Sequence, residues 1–389
     1  MKEAVIVAAA RTPIGKCRGV LAGVPAHELG GLALREAVRR SGIDPAGIED
    51  VIFANLMNHE INNMGRMVGL TAGLPYSVPG VTLDRQCGAS LNAIAYASIL
   101  IQAGYGDVYA AGGVESDSRR TYTMDKPTTP YQIMPPKWSD IRVAPEQYGS
   151  DNMGQTAENI AELYKITRRD CDEFSAISHQ KAAKAWDAGY FDSQIIAVDV
   201  PLGKGKFNQV SKDEALRPET TADGLANLSA VFKKDGVVTA GNSSPMSDGA
   251  GAVIVMEKQK AKDLGLPILA TFKRYTAAGV EPRLMGLGPV AATNKLLKEV
   301  GMSLQDIDLI EMNEAFAAQS LACIRDLNIN LDKLNVNGGA IALGHPLAGS
   351  GAILVTKMLY ELERRNLATG LITFCVGGGQ GVSMLLERE

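Results

Sequence analysis

Apolar and polar positions switch between a strand-like and a helix-like period along this chain, and the switching divides it into elements. Val5 to Ala10 is an unbroken apolar run, short enough for a first buried strand. A glycine-punctuated loop from Arg11 to Pro25 follows. Apolar positions at helical spacing then predict an amphipathic helix over 26–40, stopped by Ser41-Gly42. Next come a strand at 50–55, a helix over 63–72 and a strand leading up to Cys87. Beyond Cys87 a helix presents Leu91, Ile94, Ala95, Ser98 and Ile99 on one face and closes at Gly104, before a strand at 108–112. Strands alternating with helices predict a layered α/β sheet.

From Ser118 to Met246 the pattern changes. Residues 121–150 hold Pro127, Pro130, Pro135, Pro136 and Pro145 among Tyr, Met and Trp, too broken for a regular element and too apolar for a free linker. This composition predicts an ordered excursion that covers a site or contacts another subunit. Helices are expected over 154–165 and 170–188, the second introduced by Thr167-Arg168-Arg169-Asp170 as a capping box with Asp in the Glu position. A strand over 194–200 and the basic turn Lys204-Gly205-Lys206 complete this part.

The last third repeats the first. Leu32 to Gly42 matches Ala291 to Gly301 in pattern, and Asp50 to Asn55 lines up with Asp308 to Asn313. The offset of 258 residues at Asn55 and Asn313 sets Cys87 opposite His345. His345 precedes Pro346, which suits the first turn of a helix running to about Arg364. Asn313 ends a strand before a helix expected over Glu314 to Arg325, and Cys375 ends the first strand of a strand, glycine turn, strand unit over 370–381. Ends of strands are where open α/β sheets collect their sites.

Cys87 thus falls where a strand meets a helix, and the free N–H groups and dipole of a helix start favour a thiolate there. An inert buried cysteine fits the same stretch, and a cap or core residue fits His345. Composition narrows the classes: 389 residues with 46% hydrophobic content allow two or three domain-sized units, and 39 basic against 43 acidic residues offer no nucleic-acid surface. Five cysteines without a C-x-x-C pair argue against a disulfide framework and a zinc site, so no metal is expected and a reducing cytoplasm fits. No apolar run reaches membrane-spanning length, and the N-terminus reads as a strand rather than a signal peptide.

The sequence closely resembles the thiolase family. The resemblance is carried by Cys87-Gly88 after Asp84-Arg85-Gln86, Asn313-Glu314-Ala315-Phe316, Gly338-Gly-Ala-Ile-Ala-Leu-Gly-His345-Pro346, and Cys375-x-Gly377-Gly-Gly-Gln-Gly381. It extends over essentially the whole chain, including Thr239-Ala-Gly-Asn-Ser-Ser244-x-x-Ser247-Asp248-Gly249-Ala250. It implies two similar βαβαβαββ halves in a five-layer αβαβα arrangement with an inserted loop domain. The corresponding division is 1–117 with 247–267, then 118–246, then 268–389.

It also implies acyl transfer between CoA thioesters with no bound cofactor, most simply by an acetyl-CoA acetyltransferase acting on acetoacetyl-CoA. A β-oxidation thiolase for longer chains and a non-catalytic acyl-CoA- or lipid-binding protein are the alternatives. By resemblance Cys87 carries the acyl group, His345 activates it, and Cys375 moves the α-proton. One oxyanion hole uses His345 with a water held by Asn313; the other uses the N–H groups of Cys87 and Gly377. Ser244, Arg217 and Met285 match positions touching pantetheine, adenine and acyl group; a turn serine, a solvated charge and core filler are their plainer readings. A homodimer or homotetramer is implied. Asn152, Gly224, Ala89 and Ala348 depart from the family pattern and bear on acyl-chain preference and CoA affinity.

Two other readings of these motifs fall away. Gly344 to Gly349 has Walker A spacing, but Ser350 stands where the phosphate-binding lysine belongs. Decarboxylating ketoacyl synthases on the same fold pair their cysteine with two histidines, whereas Cys375 occupies one of those places here.

Overall fold

The computed structural model describes residues 2–131, 137–139, 142–149 and 151–389; Pro135 and Pro136 of the proline-rich excursion lie outside the described residues. The first half of the chain runs β1 (Ala4–Arg11), β2 (Gly15–Lys16), α1 (Ala26–Ser41), β3 (Asp50–Ala54), α2 (Met64–Ala72), β4 (Gly80–Leu83), α3 (Ala89–Gln102) and β5 (Val108–Ser116). Next come α4 (Met153–Tyr164), α5 (Arg168–Asp187), β6 (Val198–Gly203), β7 (Lys206–Val210) and α6 (Ala222–Leu225). The chain returns through β8 (Ser247–Glu257), α7 (Lys258–Asp263), β9 (Ala270–Gly279), α8 (Gly288–Val300) and β10 (Leu309–Met312). It closes with α9 (Ala317–Leu327), α10 (Ala340–Leu343), α11 (Ser350–Arg365), β11 (Thr369–Val376) and β12 (Gln380–Glu387).

One path of strands, β10-β11-β12-β9-β1-β8-β5-β3-β4, links both halves, and β2 pairs with β8. The joint is narrow: β1 and β9 pair only at Val5 with Thr271 and Ile6 with Ala270. Two half-sheets therefore face each other with helices between them. α3 and α11 pack together there, in a core that draws Leu91, Ile94, Val355 and Met358 from the helices and Val253, Ile372 and Met384 from the two half-sheets. α1 and α2 cover the outer face of the first half through Leu29, Leu34 and Val68. α8 and α9 cover the second through Leu296, Leu297 and Cys323. Burial on both faces is why β1, β5 and β8 read as continuous apolar runs rather than alternating ones.

The repeat holds in three dimensions. α1 and α8 both stop at a left-handed glycine, Gly42 and Gly301. β3 lies parallel to β4 and β5, and β10 lies parallel to β11. The two central helices are the ones that follow Cys87 and His345, so the repeat brings both residues to the same layer.

Residues between β5 and β8 add a separate β6–β7 hairpin and helices α4 and α5, which pack on α9; α5 also packs on α10. Both helices open on capping boxes, Asn152 with Gln155 and the expected Thr167 with Asp170. Two elements differ from expectation. The strand expected over 194–200 starts at Val198, because residues 194–196 pair with the end of β1 through Arg11 N–H to Gln194 O and Ile196 N–H to Arg11 O. The helix expected from Glu314 starts at Ala317, because Phe316 bridges to Ser243 in extended conformation. No described helix is long and apolar enough to cross a membrane.

Candidate active site

Cys87 lies in a single 3-10 turn, Gln86–Gly88, between β4 and α3. That turn packs on β11, whose end carries Cys375, and on a second 3-10 turn, Leu347–Gly349, just after His345. Gly88 permits the approach, since a Cβ there would meet Val382 Cγ2 at 2.7 Å. Ala89 and Ala348 are buried together with Ala54 and Leu56 where the two turns meet. Both departures from the family pattern thus keep small side chains at this contact.

The N–H groups of Gly377 and of Cys87 itself are directed at the Cys87 sulfur. Burial nevertheless pushes the Cys87 thiol up to about 11, with the two N–H groups acting in the opposite sense. The thiolate favoured by a helix start is therefore not the resting state: loss of hydration costs the charged form more than the N–H dipoles return. Cys87 rests as a thiol and needs a base.

His345 is buried, at 4% exposure, and burial pushes its imidazole down to about 4, so it is neutral at pH 7. Its Nδ1 lies 2.6 Å from Ser350 Oγ, and Ser350 Oγ donates to Pro346 O at 3.0 Å. The serine's single proton goes to that carbonyl, so the histidine proton sits on Nδ1 and Nε2 carries the lone pair. Asn313 Nδ2 approaches Nε2 at 3.3 Å and donates to it. Asn313 is itself fixed by its N–H to Thr373 O at 3.0 Å, and the His345 N–H by Ser247 Oγ at 3.1 Å. The site thus holds a neutral imidazole with its basic nitrogen presented. No hydrogen bond joins His345 to Cys87 among the described residues; the turn that follows His345 packs on the turn that carries Cys87.

Cys375 is buried, and its thiol is pushed well above the ordinary range by burial first, with the neighbouring Cys87 and Cys323 thiols acting in the same direction. It packs in one cluster with Met285 and Ala315, with Met153 and Phe316 against it. Ser244 is latched to the segment after β10, its N–H and Oγ both donating to Ala315 O at 3.0 and 3.1 Å. Arg217 is exposed, donates its N–H to His179 Nδ1 at 3.2 Å, and forms no ion pair among the described residues. Asn152 caps α4, and Gly224 N–H is held by Thr221 Oγ1 at the start of α6. Among the described residues no three His, Cys, Asp or Glu side chains converge on a metal site.

The family model described as "Thiolase, N-terminal domain" matches residues 4–259, and "Thiolase, C-terminal domain" matches 266–388. The chain belongs to the thiolase family. This thiolase is 46% identical to a protein of Escherichia coli named "Beta-ketoadipyl-CoA thiolase", over all of both chains. The crystal structure of Bacillus anthracis acetyl-CoA acetyltransferase superposes with a TM-score of 0.95 at 41% identity, covering 100% of this chain and 99% of that one. Human mitochondrial 3-ketoacyl-CoA thiolase in complex with CoA superposes at 0.92 with 37% identity, covering 100% and 98%. The fold is the thiolase fold, and the protein is an acyltransferase of CoA thioesters.

Sequence reasoning named Cys87, Cys375, His345 and Asn313 as candidates in this thiolase but missed the residues that hold them. Ser350 stood in the sequence only as one small residue after His345; its spacing of five residues signals nothing until a 3-10 turn folds it back. Glu115 was also missed. It is the last residue but one of β5 and fully buried, accepting from Met57 N–H at 2.9 Å and Ala348 N–H at 3.3 Å. A charged residue near the end of an apolar strand was the available signal. Glu314, expected in a helix, instead buries its carboxylate against Ser178 Oγ, Asn335 Nδ2 and Ile341 N–H, tying α5 to the segments around Asn313 and His345.

Proposed function

We propose that this thiolase works with an acetyl unit, most simply cleaving acetoacetyl-CoA with CoA or forming it from two acetyl-CoA molecules. In cleavage Cys87 gives its proton to His345 Nε2 and the sulfur attacks the 3-keto carbon. The C2–C3 bond breaks, Cys375 delivers its proton to C2, and acetyl-CoA leaves. The thiol of CoA then passes its proton to the Cys375 thiolate and attacks the acyl group. Cys87 departs, regaining a proton from His345. The N–H groups of Cys87 and Gly377 receive charge on the attacked carbonyl oxygen, and His345 with a water held by Asn313 receives it on the thioester oxygen.

The observation that carries this reading is a buried, neutral His345 whose Nδ1 is engaged by Ser350, just before a turn that packs on the turn of Cys87, together with two thiols held protonated by burial. An uncharged base suits a thiol nucleophile, and a protonated Cys375 suits delivery to a carbanion. Ser244, Arg217 and Met285 are assigned to the pantetheine, the adenine end and the acyl group; the contact of Met285 with Cys375 supports the last. Intact-protein and peptide mass after mixing with acetoacetyl-CoA tests the scheme. Wild type should show an acyl adduct on Cys87 that excess CoA removes. Cys87→Ala should transfer nothing, whereas Cys375→Ala should take acetyl from acetyl-CoA yet fail to cleave acetoacetyl-CoA. Normal cleavage by Cys375→Ala would sink the proton assignment.

A cytoplasmic homo-oligomer completes the reading, with 1–117 and 247–267, 118–246, and 268–389 as its domains. β4 is a sheet edge with Val81 exposed, flanked by exposed Met67 and Leu70 on α2 and Tyr96 and Ile99 on α3. An unpaired edge inside an apolar patch suits isologous pairing with a second copy. Tyr122, Tyr131 and Trp138 of the excursion are exposed and suit a further contact in a tetramer.

A further inference from the structure

A cavity of about 10 Å³ lies next to the residues that hold His345, its lining including Ile14, Asn313, Leu343, Ser350, Ile353 and Lys357. That volume admits one water and nothing larger. Neither active-site cysteine lines it, and His345 itself does not, so it is separate from the place where Asn313 is assigned the oxyanion water. Its polar side chains include Asn313 and Ser350, which meet the imidazole at Nε2 and Nδ1.

Lys357 is the third polar wall, a buried ammonium to which the reaction scheme gives no task. It is 2% exposed and lies seven residues after Ser350, two turns on along the same face of α11. Its Nζ donates to Glu311 Oε2 at 2.9 Å, on the strand leading into Asn313, and to Gly338 O at 2.9 Å, at the start of the stretch that carries His345. Lys357 thus joins the segments that bring Asn313, His345 and Ser350 together.

Hydrogen-bond capacity around the cavity is complementary. Two of the three ammonium hydrogens are placed, and the third makes no hydrogen bond among the described residues. A buried ammonium is costly unless its hydrogens find acceptors. Asn313 turns Nδ2 toward His345, and its Oδ1 accepts nothing among the described residues. Ser350 Oγ accepts from His345 Nδ1 and gives its own proton to Pro346 O, which leaves it one lone pair. One donor and two acceptors around a water-sized space match a water making about three hydrogen bonds, the usual number for a buried one.

We propose that the cavity holds one ordered water that accepts from Lys357 Nζ and donates to Asn313 Oδ1 and Ser350 Oγ, which makes Lys357 a positioning residue for His345. The proposal rests on the reading of His345 as the base. The water fixes the Asn313 amide with Nδ2 toward the imidazole and braces the hydroxyl that sets its tautomer. Lys357 acts through both neighbours of His345 and touches no substrate.

A high-resolution crystal structure of the wild-type enzyme should show this water within hydrogen-bond distance of Lys357 Nζ and of Asn313 or Ser350. A dry cavity overturns the proposal whether or not any variant folds. Removing Lys357 alone strands the buried Glu311, so both are replaced together, Glu311→Leu with Lys357→Met. Thiolysis of acetoacetyl-CoA by this double variant should show kcat lowered on the order of tenfold, with KM for both substrates within about twofold of wild type. A wild-type kcat in the folded variant overturns the proposal, as does a parallel change in kcat and KM, which marks general loosening. In a Ser350→Ala background the same double replacement should lower kcat less than about threefold, because the chain it breaks is already cut. A full tenfold loss there assigns Lys357 a role that bypasses His345 and overturns the proposal. If wild type forms no acyl adduct on Cys87, the base reading is lost, whereas the water is judged by the crystal structure alone.

Discussion

Glu115 sits near the end of β5 with its carboxyl pushed up to about 8, by burial first, against N–H donation from Met57 and Ala348, with Asp117 adding repulsion. A folded-state value above the ordinary 4.5 means that the folded protein holds this proton more tightly than the unfolded chain. The stability it contributes is therefore present below about 4.5 and lost as pH rises through about 8. Urea melts should show a shallower loss of stability between pH 5 and 8 for Glu115→Gln than for wild type. His345 acts in the opposite sense: its depressed value makes stability fall as pH drops from about 6.5 toward 4. Ser350→Ala removes the partner that sets the tautomer of His345. It should lower kcat on the order of tenfold to a hundredfold with little change in the thermal midpoint, as steady-state thiolysis and calorimetry will show.

At the scale of elements, local sequence was most legible where one short motif satisfies its own backbone. The Thr167 and Asp170 capping box and the glycine stops of α1 and α8 are of this kind. Asn152 shows the limit. In the sequence it reads only as a departure from the family pattern, yet in the fold its side chain accepts the Gln155 N–H at 3.0 Å and opens α4. Asn152→Ala should cost about 1 kcal/mol in denaturant melts, the usual worth of an N-cap. Glu314 was misassigned for the converse reason. Helix propensity extends through Glu314, but its carboxylate is claimed by Ser178 and Asn335, which are far away in sequence.

The molecule as a whole is organised by its repeat, which places α3 and α11 back to back and sets the turns bearing Cys87 and His345 against each other. Light scattering at micromolar concentration should give a dimer or tetramer mass. Val81→Asp, which puts a charge on the exposed β4 edge, should shift the population toward monomer. The sequence by itself determined the alternation of strands and helices, the internal repeat and the chemical identities of Cys87, Asn313, His345 and Cys375. These depend on periodicity and residue type, which are local. Only the tertiary structure decided that Cys87 rests as a thiol, that Ser350 holds the His345 proton on Nδ1 and leaves Nε2 an acceptor, and that Arg85 stands at a polar cavity beside Gly377. Each of those depends on burial and on partners brought together from distant segments, and desolvation and long-range contact leave no periodic trace along a chain.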